Sequence, residues 1–217
     1  MLDAYHNMIE NQLRAGGIHA PEVFNAFDAI NRLAFVPESY RNYAYADIQI
    51  PLKNGQQMFF PRTEAAILQA VSPKQTDIVL EIGTGTGYSA ALMAQLTRYI
   101  TTLEIMPEMA KLAQQTLKQQ NIHNVHVICT DAFSWDISQI SKQPDIIIFS
   151  GATPSIPSPF YEILAIHGRM VVFHQLSSVL VQVQLIQKTA EHTWQTQTLF
   201  ETNVISLVYP NQSRFIF

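Results

Sequence analysis

The spacing of apolar residues changes once along this chain, near residue 76. Before that point the period is helical. Met1, Tyr5, Met8, Ile9 and Leu13 recur on one helix face until Gly16-Gly17 ends the run. Pro21 opens a second helix carrying Val23, Phe24, Phe27 and Ile30. From Phe35 to Phe60 the chain reads as irregular or extended, punctuated by Pro37, Pro51 and Gly55. Pro61-Arg62-Thr63-Glu64 is then a helix entrance, with proline in the first turn and an acid near the positive end of the dipole. After residue 76 the pattern becomes short runs of Ile, Val and Leu: "DIVLEIG", "RYITTLEI", "VHVICTD", "PDIIIFSG" and "GRMVVFHQ". Such runs suit strands buried on both faces. "GYSAALMAQL" and "PEMAKLAQQTLKQQ" separate the earlier ones as helices, and this alternation predicts right-handed crossovers and a parallel sheet. "VLVQVQLIQ" and "FETNVISLVYP" follow with little helix between them, so the sheet is expected to close with an antiparallel hairpin.

Composition narrows the class. At 217 residues, with 47% apolar and 14% charged, the chain is expected to form one α/β domain without disulfide or metal staples. Residues 1–60 would make a helical cap and extended segment, 61–175 the α/β core, and 176–217 the C-terminal strands. Seventeen acids against thirteen bases give a formal charge of −4, contrary to the basic surplus of a protein that grips a nucleic acid backbone. No run approaches the ~18 apolar residues that cross a membrane. The N-terminus lacks the basic and apolar regions of a signal peptide, which points to the cytoplasm. The lone Cys129, inside an apolar run, is expected to be a small buried hydrophobe. The seven histidines show no paired metal-ligand spacing, and no Gly-x-Ser-x-Gly elbow supports a hydrolase. Oligomeric state is not legible in these features.

Chemistry concentrates in "IVLEIGTGTGYSAALMA". A buried strand runs into Gly83-x-Gly85-x-Gly87, and a helix of small residues follows. Glycine lets a ligand approach the backbone, the helix start offers free N–H groups, and ligands bind at this edge of open parallel sheets. A dinucleotide fingerprint would read G-x-G-x-x-G. Here the third glycine comes one residue early, and Glu81 precedes the first by two. That arrangement resembles the S-adenosylmethionine site of class I methyltransferases. Glu104, 21 positions after Gly83, ends the next strand, where an acid can accept from both ribose hydroxyls. Asp131 ends the third, where a carboxylate can accept from an adenine amino group.

"MIENQLRAGGI", "FVPESYRNYAYAD", "IPLKNGQ", "VLEIGTGTGYSAALMAQL", "NIHNV" and "PSIP" occur in the order seen in protein-L-isoaspartate O-methyltransferases, over roughly residues 6 to 175. The chain resembles that family. The resemblance implies a mostly parallel seven-stranded Rossmann-like sheet with helices on both faces and N-terminal helices partly over the cofactor. It implies methyl transfer from S-adenosylmethionine, leaving S-adenosylhomocysteine, to the carboxylate of L-isoaspartyl residues, a step in protein repair. By position, Glu81, Gly83, Gly85 and Gly87 would hold the methionine part, Glu104 would take the ribose, and Asp131 the adenine. Ile82, Thr84, Tyr88, Ile105 and Ala132 would complete the cofactor-binding set. The family has Gly-Asp-Gly around that last acid, where this chain has Thr130-Asp131-Ala132.

The acceptor side departs further. Where the family reads Thr-Ile-Ser-x-Pro, with an active-site serine, this chain reads Gln57-Met58-Phe59-Phe60-Pro61. The Pro-Val-Gly that ends the fifth strand in the family becomes Phe173-His174-Gln175. Phe59 thus stands at the serine position. Gln56, Gln57, Thr63 and Arg62 are candidate replacement donors, Arg62 by pairing with the acceptor carboxylate. Ser150 and Thr153 stand at the end of the fourth strand, and Ser150 could orient an acceptor or cap structure. Met58-Phe59-Phe60 reads either as a core plug or as a site wall, the two being combined if Met58 and Phe60 point inward and Phe59 toward the pocket. Three functions stay open: isoaspartyl carboxyl methylation, methylation of another small acceptor, and adenosyl binding without catalysis.

Overall fold

The computed structural model describes residues 2–209. Seven strands make one sheet in the order β3-β2-β1-β4-β5-β6-β7. They are β1 (Ile78–Ile82), β2 (Tyr99–Glu104), β3 (Val125–Cys129), β4 (Ile146–Thr153), β5 (Arg169–Gln175), β6 (Val181–Ala190) and β7 (Thr193–Thr202). The first five are parallel, and β6 and β7 are antiparallel additions at one edge. The chain leaves β1 toward β2 on one side and later returns to β4 on the other. That reversal opens a crevice at the carboxyl ends of β1 and β4, where ligands bind in such sheets.

The apolar runs are continuous because both faces of the sheet are covered. Val79, Ile146, Ile148, Val171 and Phe173 belong to one core. Leu80, Ile82, Ile147, Phe149, Met170 and Val172 belong to the other. The first core is completed by α1 (Leu2–Asn7) and the wider π turn Met8–Arg14 that prolongs it, α2 (Pro21–Ala29), α3 (Pro61–Val71), α4 (Tyr88–Ala94) and α5 (Pro107–Gln119). The second is covered by α6 (Ser158–Ile163) and the segment around Phe133. Proline occupies the first turn of α2, α3, α5 and α6, where its missing N–H costs nothing.

Two cations, Arg169 and the buried Lys188, tie elements together. Arg169 donates to the carbonyls of Val71 and Ser72 and pairs with Asp77, fastening the end of α3 to the starts of β1 and β5. Lys188, 4% exposed, points its amine from β6 at the last carbonyls of α6, reaching Glu162 O at 2.9 Å and Leu164 O at 2.8 Å.

Two expectations are corrected. The closing hairpin exists, but its second strand is Thr193–Thr202, not the apolar stretch from Phe200 onward. This strand lies at the sheet edge and its outward positions are Thr, Gln and Glu, so it gave no apolar pattern to read. The apolar residues after it form a strap. Ala152 N donates to Ile205 O and Leu207 N donates to Ala152 O, laying residues 205–207 along the end of β4. Cys129 is exposed rather than buried, because it closes β3, the opposite edge strand.

Candidate functional site

β1 delivers the chain into Gly83-Thr84-Gly85-Thr86-Gly87, and all three glycines take positive φ, at 94°, 54° and 83°. A Cβ on Gly85 would find only Leu52 within 4 Å, at 3.9 Å, so this backbone is bare toward the crevice. Gly87 has a different reason: a Cβ there would meet Ala113 and Leu117 at 3.4 Å, where α5 packs behind the turn.

Above the loop lies a cleft lined by Ile82, Gly83, Gly85, Glu104, Asp131 and Ser150 among others. Glu104 reaches back across it. Its Oε2 accepts from Gly85 N at 2.8 Å and its Oε1 from Met106 N at 3.0 Å. Burial pushes its pKa up, and these N–H groups work against that rise. Asp131 accepts from Phe133 N at 3.0 Å, with Ala132 and Phe133 beside it on the same wall. Ile105, Met106 and Met109 supply apolar lining. The bare loop backbone, an acid at the tip of β2 and another after β3 thus share one cleft. Gln56 and Gln57 approach from the segment before α3.

A smaller space adjoins this cleft. Gln57, Gly83, Gly85 and Ser150 line both, and Thr84, Tyr88, Met58, Phe59, Glu64 and Ser89 line only the smaller one. Tyr88 is buried beneath the N-terminal cap, with the Arg32 guanidinium 4.7 Å from its ring centroid.

Glu81 lines neither space. It is 2% exposed and braces the loop from below, accepting from Thr102 Oγ1 at 2.6 Å and Ser150 Oγ at 3.0 Å. Thr102 in turn shares a hydrogen bond of 2.7 Å with Thr84. Burial raises the Glu81 pKa to about 8 against the pull of both hydroxyls, so the carboxyl is mostly protonated at neutral pH.

The aromatic triplet is arranged differently from the combined reading. Met58 and Phe59 are both 5% exposed, while Phe60 is half-buried. Phe59 stacks on Phe173 at the end of β5, with centroids 4.7 Å apart and planes 23° apart. The two departures from the family pattern are therefore in contact. Arg62 lies outside both spaces, with its Nε 3.4 Å from Asp47 and its guanidinium over Phe60. Thr63 is buried in α3, and Thr153 donates to Ser155 O. Among the described residues no group of three or more His, Cys, Asp or Glu could hold a metal.

The structure adds residues that the sequence pattern did not single out. Leu207 and Val208 of the strap line the cleft, and Tyr209 stacks on Phe133 at 4.5 Å with its hydroxyl on Thr153. Glu64, read above as a helix-start acid, faces the smaller space.

Known proteins resemble this chain in sequence and in fold. The family model for protein-L-isoaspartate(D-aspartate) O-methyltransferase matches residues 4–212. The protein-L-isoaspartate O-methyltransferase of Methanospirillum hungatei JF-1 is 36% identical over 165 residues, spanning 76% of this chain and 75% of that one. Protein-L-isoaspartate O-methyltransferase 2 of Pelobacter propionicus is 31% identical over 203 residues, 93% of this chain and 88% of its own. A Plasmodium falciparum protein assigned to the same activity, and solved with S-adenosyl-L-homocysteine, shares the fold. Its TM-score is 0.82 at 18% identity, over 94% of this chain and 98% of that one.

Proposed function

We propose that this chain, which belongs to the protein-L-isoaspartate(D-aspartate) O-methyltransferase family, methylates the free carboxylate of L-isoaspartyl residues in peptides and proteins. The observation that carries this reading is the single cleft joining the glycine loop, Glu104 and Asp131 to Gln56, Gln57 and Ser150. The family's cofactor, S-adenosylmethionine, supplies an electrophilic sulfonium methyl.

The protein's part is positioning. An aspartyl-type carboxyl has a pKa of about 4, so at neutral pH it is already the nucleophile and no general base is needed. Glu104 and the N–H groups near Gly85 would orient the ribose, and Asp131 would read the adenine. Gln56 and Gln57 offer amide donors to the acceptor carboxylate. Ser150 lines the same cleft, with its hydroxyl donating to Glu81 Oε1. Met58, Phe59 and Leu207 exclude water from the reacting atoms, which strengthens the remaining polar contacts. Holding oxygen, methyl and sulfur in line can lower the barrier by ~7–11 kcal/mol.

A second reading keeps the cofactor and changes the acceptor. It is favoured by one observation: the position of the family serine is an aromatic ring stacked on Phe173. Mass spectrometry of a peptide with one L-isoaspartyl residue, after incubation with protein and S-adenosylmethionine, separates the two. A single base-labile methyl ester on that residue supports the first reading; an unmodified peptide rejects it. A cytoplasmic location accords with the exposed free thiol of Cys129, and no helix among the described residues is long and apolar enough to cross a membrane.

A further inference from the structure

Glu64 is a buried acid to which the adenosyl site as described gives no task. It lies in the first turn of α3, is 4% exposed, and faces the smaller space beside the glycine loop. Its Oε2 accepts from Ser89 Oγ at 2.7 Å, and no other described residue donates a hydrogen bond to the carboxylate. Burial pushes its pKa up, while the Arg32 guanidinium and the Ser89 hydroxyl act to keep it ionised. A buried carboxylate with unused acceptor capacity is costly unless a donor or cation completes it.

The space it faces adjoins the adenosyl cleft, and Gly83, Gly85, Gln57 and Ser150 are walls common to both. The amino-acid end of the cofactor must extend from the loop and carries an ammonium group. Glu81 is a poor counter-charge for it, being beneath the loop with its oxygens held by Thr102 and Ser150. Asp131 lines only the larger cleft. Glu64 is the acid that lines the smaller space.

We propose that Glu64 is the counter-ion of the cofactor's α-ammonium, held in position by Ser89 from the start of α4. This rests on the adenosyl half of the functional reading and is independent of which acceptor is methylated. A buried charge-assisted hydrogen bond is among the stronger polar contacts in a binding site, so its removal should be read directly in affinity.

Calorimetric titration of wild type, Glu64→Gln and Ser89→Ala with S-adenosylhomocysteine and with its deaminated analogue tests this. Glutamine keeps the shape of the side chain and a partner for Ser89. Glu64→Gln is expected to weaken S-adenosylhomocysteine at least tenfold and to bind the deaminated analogue within twofold of wild type. Ser89→Ala should show a smaller loss with the same ligand preference. An unchanged affinity for S-adenosylhomocysteine in Glu64→Gln, or equal loss of both ligands, would overturn the assignment. Should Glu64→Gln fail to fold, Ser89→Ala decides, and equal behaviour toward the two ligands refutes the proposal. A wild-type protein that binds neither ligand would overturn the adenosyl site itself, a result distinct from failure at Glu64.

Discussion

The stacked pair Phe59–Phe173 is open to a quantitative test. Phe173 is 0% exposed, Phe59 is 5% exposed, and the ring planes are 23° apart with centroids at 4.7 Å. Truncating a buried phenylalanine to alanine costs ~3–5 kcal/mol, close to the whole stability of a marginal domain. Leucine is therefore the better probe, since it keeps an apolar side chain at each position and removes the ring. Aromatic pairs contribute ~0.5–1.5 kcal/mol beyond their buried area. Phe59→Leu and Phe173→Leu should each destabilise the protein, and the double variant should lose less than the sum by about that amount. At this chain length ~1 kcal/mol moves Tm by ~2–4 °C, but the cycle is better closed with urea midpoints at constant slope. Additivity within about 0.3 kcal/mol would show that the rings do not act as a unit. The idea that the two departures from the family form one coupled change would then fall.

Lys188→Met should cost ~1–3 kcal/mol by leaving the Glu162 and Leu164 carbonyls without their buried donor; an unchanged thermal midpoint contradicts that role. Glu81 predicts a pH effect of definite sign. Its folded pKa of about 8 lies above the unfolded value of about 4.5. The folded state therefore holds the extra proton, and the stability it confers is full below the unfolded pKa and lost as pH rises toward 8. Glu81→Gln should remove a slope of up to about 1 kcal/mol per pH unit across that window; superimposable urea profiles for variant and wild type would refute the raised pKa. Arg62 is 58% exposed with Asp47 as its partner, so Arg62→Ala should change stability by under about 0.5 kcal/mol. It should also leave the acceptor KM within twofold. A several-fold rise in KM, with cofactor affinity unchanged, would restore Arg62 to the acceptor site.

What the sequence showed follows from how local each feature is. The glycine loop was legible because its strand, turn and helix are consecutive, and Glu104 and Asp131 because strand ends in a parallel sheet converge on one edge. β7 was misplaced because an edge strand with Thr and Gln facing out carries no apolar alternation, while the apolar strap beside it does. Phe59 could not be assigned because the ring it meets, Phe173, lies more than a hundred residues along the chain. Glu64 looked like any acid at a helix start, since the features that set it apart, its burial and the Ser89 hydroxyl, come from tertiary packing. Cys129 misled for a related reason: an apolar run says that a strand exists, not that its last residue is covered.

The central claim is carboxyl methylation of isoaspartyl residues in a site whose serine position is Phe59. The direct measurement is S-adenosylhomocysteine release from pure protein and S-adenosylmethionine, with an L-isoaspartyl peptide against the matched L-aspartyl peptide. Release that saturates with the isoaspartyl peptide and stays at background with the aspartyl one is the predicted result. It would mean that Gln56 and Gln57 suffice to hold the acceptor without the family serine. Background release with both, from protein shown to bind S-adenosylhomocysteine, would contradict the claim and leave the Phe59–Phe173 stack as the wall of a site built for another acceptor.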